Sequence, residues 1–242
     1  MNTPHKLTEL WVYIGTSPLL WLTLTVWAYV LSVRIQRALG GAPWANPVML
    51  SVAMLVGVLK LSDTPYPRFF EGAQFIHFLL GTATVALAAP LRRNWKAIRG
   101  VLGPILAAVV AGNVVSSIVA MWILQLCGAP SELVISIAPK SVTAPVAMGI
   151  SEKLGGLPPL TAVLVILTGI LGAMSITAML RALRVNDPCR QGLALGIASH
   201  GIGTARAFQL SQAHGTFSGV GMALSTLAAS VLVPITVQLL VR

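Results

Sequence analysis

Ala138-Pro139-Lys140-Ser141-Val142-Thr143-Ala144-Pro145 lies in the middle of an apolar run that extends from 131 to 152. Each proline removes a backbone donor and clashes with the preceding turn, so a regular helix breaks here. In a bilayer, carbonyls freed by such a break find partners only against protein or in a watery cavity. The run is therefore expected to enter the membrane and turn back rather than cross it.

The chain around this break is apolar throughout. Of its 242 residues 56% are hydrophobic and 9% charged, with a mean hydropathy of +0.84. A soluble domain carries about 25% charged residues. An ordinary soluble domain and a disordered chain are thereby excluded. Apolar runs fall at 10–33, 44–61, 72–90, 100–126, 131–152, 159–180, 189–212 and 216–241, joined by short linkers rich in Gly and Pro. The expectation is an all-α integral membrane protein, one transmembrane domain over 1–242 with about seven or eight segments. The first run is about 24 residues long and followed by Arg34 and Arg37, which reads as a span rather than a cleavable leader.

Sixteen Lys and Arg stand against six Asp and Glu. The basic residues cluster between apolar runs, as Arg92/Arg93/Lys96/Arg99 and Arg181/Arg184/Arg190. That is the pattern of loops facing anionic lipid in the cytoplasm, and not of a nucleic-acid surface. Eight full crossings cannot place both clusters on one side. Making 131–152 re-entrant leaves seven crossings, with the N-terminus outside and the C-terminus cytoplasmic. Cys127 and Cys189 then lie on opposite faces and do not pair. No ligand spacing suggests a metal or other cofactor, and no nucleophile–base–acid set suggests an enzyme.

Short matches point to an internal duplication. Leu39-Gly40-Gly41 recurs as Leu154-Gly155-Gly156 after 115 residues, and Gly81-Thr82-Ala83 as Gly203-Thr204-Ala205 after 122. The basic flanks of the two copies are exchanged, which predicts inverted repeats over 10–126 and 131–242. Inverted repeats are a transporter signature, with substrate held at the midplane.

Two constellations carry chemistry. Lys140, Ser141 and Thr143 lie between the two prolines, and a half-helix starting near Ala144 would add N-terminal amides, which favour anions. A kinked segment whose lysine snorkels to the interface is the alternative. Ser199-His200-Gly201-Ile202-Gly203-Thr204-Ala205-Arg206 begins ten residues into its run, placing His200 and Arg206 at membrane depth, and its two glycines allow an unwound stretch, so a broken or re-entrant helix is expected near 199–206 as well as near 138–145. Charges there usually face a partner or a cavity. Arg206 reads as a carboxylate partner or a structural pair, and His200 as a proton-coupling group or a packed core histidine. Thr82 and Thr84 occupy the first-repeat positions equivalent to Thr204 and Arg206 and are candidates to complete the site. None of the six acidic residues lies at the centre of a run, so the expected substrate is a small anion. Asn113, Ser116 and Ser117 read as helix–helix glue ahead of path-lining groups.

Pro139 to Ala147, Leu160-Thr161-Ala162-Val163 leading to Thr168-Gly169-Ile170, and Gly192 to Ala207 together resemble the LrgB/CidB family. Leu79 to Ala88 matches as well, with Thr82 where that family usually has proline. The resemblance spans roughly 10–241. It implies one of two functions. One is an antiholin- or holin-like role beside a small LrgA/CidA membrane partner, acting on murein hydrolase activity and autolysis. The other is transport of small carboxylates: pyruvate in bacteria, glycolate and glycerate in the chloroplast envelope. A positive site at broken helices favours a monocarboxylate carrier, as a homo-oligomer such as a dimer or with an LrgA/CidA-like subunit. Lys140 and Arg206 would neutralise the carboxylate, with Ser141, Thr143, Ser199, Gly203 and Thr204 around it.

Overall fold

The computed structural model describes residues 17–42, 45–86, 92 and 95–241, and the side chains of His77, Leu80, 81–86 and Ala97 are outside the description. Every regular element among them is helical. The chain divides into two compact units, Met1–Ala86 and Leu87–Arg242.

The first unit holds α1 (Pro18–Ala38), α2 (Pro47–Leu61) and α3 (Tyr66–Ala86). Pro18 and Pro47 each open a helix at a position where the missing N–H is not needed. Asn46 caps α2 by accepting from the amides of Val48 and Met49. α1 and α3 pack through Trp21 edge-on to Phe69, ring centroids 6.0 Å apart. Gly72 has no room for a side chain there, because an added Cβ would lie 2.8 Å from that of Trp21.

The second unit holds α4 (Trp95–Gly100), α5 (Leu102–Leu126), α6 (Ser131–Ile137), α7 (Ala144–Leu154), α8 (Pro158–Ala182), α9 (Pro188–Leu210) and α10 (Gln212–Leu240). The apolar run 131–152 breaks as its prolines dictate: α6 ends at Ile137 and α7 starts at Ala144. The two arms fold back on each other. Thr161 Oγ1 donates to the Ser136 carbonyl at 3.0 Å and lies 2.8 Å from Ser151 Oγ, which places the end of α6 beside the end of α7. A straight helix would hold residues 136 and 151 about 22 Å apart.

α9 contains a second break, at His200, where φ is 41° and ψ −130°. The break falls where one was expected, within 199–206, but the run 189–212, counted as one of seven crossings, turns back there instead of continuing. A Cβ built on Gly203 would lie 2.5 Å from the Leu195 carbonyl oxygen, eight residues earlier in the chain. The His214 ring, just past the end of α9, lies 3.1 Å from Gln191 Oε1 near its start. Both distances require the chain to reverse at His200. α9 is thus a hairpin of two arms, Pro188–Ser199 and Gly201–Leu210, that begins and ends at the same end of the unit.

The order of elements follows from these reversals. α5 runs from the end bearing Val101 to the end bearing Cys127, where the α6–α7 hairpin inserts and returns. α8 runs back, the α9 hairpin inserts from the Val101 end and returns, and α10 runs parallel to α5. Asn113 on α5 bonds Ser225 on α10 at 2.7 Å, and Gln125 reaches the Leu240 carbonyl at 2.7 Å, which fixes that parallel register. The two hairpins therefore enter from opposite ends. Each follows a 25-residue helix, and the starts of those helices, Leu102 and Pro158, are 56 residues apart.

Four helices among the described residues are both long and apolar enough to cross a membrane: α1, α5, α8 and α10. α2 is apolar but has 15 residues. The core of the second unit is apolar and gathers around the first hairpin. Ala138 and Val142 at its tip pack in one cluster with Met121 of α5, Val165 of α8, and Ala229 and Val233 of α10. Cys127 and Cys189 are free thiols at opposite ends of this unit.

Candidate functional site

The tip of the first hairpin is held to α5 by hydroxyls. Ser117 Oγ donates to the Ala138 carbonyl at 2.7 Å, and Ser116 Oγ lies 2.9 Å from Ser141 Oγ. Lys140 Nζ donates to Ser116 Oγ at 2.5 Å and to its carbonyl at 3.2 Å. Among the described residues no carboxylate neutralises this ammonium, and its partners are a hydroxyl and a peptide dipole. Thr143 is the N-cap of α7, extended at φ −58° and ψ 138°, with Pro145 in the first turn. Its carbonyl accepts from Ala147 at 2.9 Å, and its hydroxyl makes no capping bond. The α7 N-terminus thus opens beside Lys140 with first-turn amides left unbonded by the helix.

The tip of the second hairpin is held to α8. His200 Nε2 lies 3.0 Å from the Val165 carbonyl. A carbonyl only accepts, so Nε2 carries the proton. The ring lies on Gly169, where an added Cβ would be 2.7 Å from Cε1. Ser199 backs onto Gly172, one turn further along α8, and its buried Oγ has no hydrogen-bond partner among the described residues. Thr204 Oγ1 donates to the His200 carbonyl at 2.8 Å and lies 2.9 Å from Ser218 Oγ of α10. Gly203 is occupied by the close approach of the two arms.

Val165 joins the two tips. Its side chain packs with Ala138 and Val142 of the first tip, while its carbonyl meets His200 of the second. Lys140 and Ser141 thus sit at the first tip and Ser199 and His200 at the second, with Val165 between them, while Thr204 lies against Ser218 of α10, seven residues before the Ser225 that meets Asn113. The structure places Arg206 elsewhere, on the returning arm. There Nη1 donates to Gln209 Oε1 at 3.1 Å, and the charge of Arg181, in the last turn of α8, acts on it. The expectation of Arg206 at membrane depth took the run to continue onward past its break, and the reversal at His200 instead carries Arg206 back toward the basic end. Thr82 and Thr84 lie on α3, and their side chains are outside the described residues.

The reading of Asn113, Ser116 and Ser117 as glue ahead of path-lining groups agrees with their bonds: Asn113 ties α5 to α10, and Ser116 and Ser117 anchor the first tip. Sequence reasoning missed Gly169-x-x-Gly172 and Ser218. The available signal was two glycines one turn apart in the apolar middle of a helix, the mark of a close approach.

A polytopic helical membrane protein with two broken, inserted hairpins is the class these elements define. The LrgB-like family model matches residues 25–239, and the chain belongs to that family. It is 34% identical to YxaC of Bacillus subtilis over 218 residues, 90% of this chain and 94% of that one. It is 31% identical to the holin-like protein CidB of Staphylococcus epidermidis over 220 residues, and to that of Staphylococcus aureus over 221, in each case 91% of this chain and 96% of the relative. No solved structure matches it.

Proposed function

We propose that this chain carries small monocarboxylate anions, of the pyruvate, lactate and glycolate class, across a bacterial inner membrane by alternating access. The observation that carries the reading is Lys140. A cation at a helix break inside an apolar bundle, bonded to Ser116 and with no carboxylate opposite it among the described residues, is half of a charge pair. An isolated charge costs several kcal/mol to hold away from water. An anion arriving from outside the chain supplies the missing half, with Ser141 and the α7 amides as further donors.

The two hairpins give this site a way to open on either side. α5 with the first hairpin and α8 with the second form an inverted pair over 102–154 and 158–210, in place of the longer repeats suggested by the Gly-Gly and Gly-Thr-Ala matches. In this pair Ser116 of α5 and Gly172 of α8 are equivalent, 56 residues apart, and each meets a tip serine, Ser141 or Ser199. Movement of one hairpin at a time exposes the tips alternately. His200 is the proton-coupling group, and Arg206 a second cation that attracts the anion at the basic end. With Arg181–Arg190 in the cytoplasm, the reversal at His200 puts the end of α10 outside. A homodimer or an LrgA/CidA-like subunit completes the assembly.

The test is uptake of labelled pyruvate, lactate and glycolate into proteoliposomes by wild type, Lys140→Met and Lys140→Arg, with and without an LrgA-like protein. Saturable uptake lost in Lys140→Met and partly kept in Lys140→Arg is expected. Equal uptake by all three chains, or release of a large trapped dye with no carboxylate selectivity, overturns the reading and leaves a holin-like pore.

A further inference from the structure

Beyond the tips, the second unit contains a cavity of about 930 Å³ between α5, the C-terminal half of α8 and the first arm of α9. Pro104, Ala108 and Gly112 line it from α5, Met179 and Leu180 from α8, and Leu193 and Ile197 from α9. The walls are apolar, and its charged lining residues, Asp187 and Arg190, lie at the end where α8 passes into α9. A carboxylate of two or three carbons fills little of such a space and finds no donors along it.

We infer that this groove seats one acyl chain of an anionic phospholipid, drawn from the leaflet on the basic side. Two observations fit that occupant. The first is length: Val101 to Gly112 on α5 spans about 16 Å at 1.5 Å per residue, matching one leaflet of a hydrocarbon core about 30 Å thick. The second is charge. Arg190 lines the mouth beside Asp187, which accepts its backbone N–H at 2.8 Å as the helix cap, and Arg184 lies in the loop that leads into α9, between the lining residues Leu183 and Asp187. A headgroup phosphate at the mouth meets those cations while its chain descends toward Gly112 and Ile197. The inference rests on the membrane setting and the groove alone, and holds whether or not the tips bind a carboxylate.

Native mass spectrometry of the delipidated protein, titrated with phosphatidylglycerol or phosphatidylcholine of the same chain length, tests it. Wild type is expected to hold one phosphatidylglycerol with about fivefold preference over phosphatidylcholine. Arg190→Gln is expected to lower that preference while keeping the fold, because it alters only an exposed side chain. Ala108→Trp fills the groove and is expected to abolish retention of the lipid. Leu171→Trp, on the exposed part of α8 away from the groove, leaves it unchanged. Equal retention of both lipids by wild type, or undiminished retention by Ala108→Trp, overturns the inference. So does a groove closed by a second copy of the chain, read as an obligate dimer that takes up no lipid.

Discussion

Replacing His200 separately by glycine and by alanine tests the reversal on which the fold of the second unit depends. At φ 41° and ψ −130° the residue lies where an L side chain is strained, at a cost of about 1–3 kcal/mol. Both substitutions delete the imidazole and its bond to the Val165 carbonyl, each losing about 0.5–1.5 kcal/mol from that bond alone. They differ in the backbone. Glycine relieves the strain, offset by about 0.4–1 kcal/mol of extra freedom in the unfolded chain. The glycine variant should therefore be the more stable by roughly 0.5–2 kcal/mol. In a straight helix the order reverses, alanine being favoured by about 0.8–1 kcal/mol. The assay is equilibrium unfolding by SDS in mixed micelles, followed by far-UV circular dichroism. An alanine variant more stable than the glycine variant refutes a turn at His200 and restores a continuous helix across 188–210.

Three further outcomes follow from the same geometry. Gly203→Ala would place its Cβ 2.5 Å from the Leu195 carbonyl and should destabilise by about 1–3 kcal/mol, whereas Gly219→Ala, with nothing within 4 Å, should stabilise α10 by up to about 1 kcal/mol; the same unfolding assay separates them. In a chain with Cys127 and Cys189 replaced by serine, single cysteines at Arg184 and Ala213 should react with an impermeant maleimide from the same side of the membrane, and one at Leu239 from the other. A crossing α9 would put Ala213 opposite Arg184. Lys140→Met should weaken carboxylate binding about 10- to 150-fold, the loss of one charge-assisted hydrogen bond of roughly 1.5–3 kcal/mol, measured by isothermal titration; unchanged affinity removes Lys140 from the site.

The first hairpin was legible in the sequence because proline breaks a helix whatever surrounds it. Pro139 and Pro145 marked both ends of the interruption, and the α7 start at Ala144 falls where they place it. The second was legible only in position. Ser199 to Arg206 was recognised as a break, but its glycines suggested local unwinding, and the reversal is made by His200, between them and Ser199. What holds it there is tertiary: the Val165 carbonyl, the Gly169 and Gly172 surface of α8, and Ser218 of α10. None of these is near in sequence. The displacement of Arg206 toward Arg181 follows from that one backbone angle. The anchors Ser116 and Ser117 were visible as polar residues in an apolar run. Their role needed the partner hairpin to be in place.

Counterflow tests the central claim most directly. Proteoliposomes loaded with unlabelled pyruvate are diluted into a trace of labelled pyruvate, and the internal label is followed with time. A carrier that opens its Lys140 site to one side at a time accumulates label transiently above its external concentration before falling back. A pore lets label rise monotonically to equality with the outside, and that curve would contradict alternating access through the two hairpins.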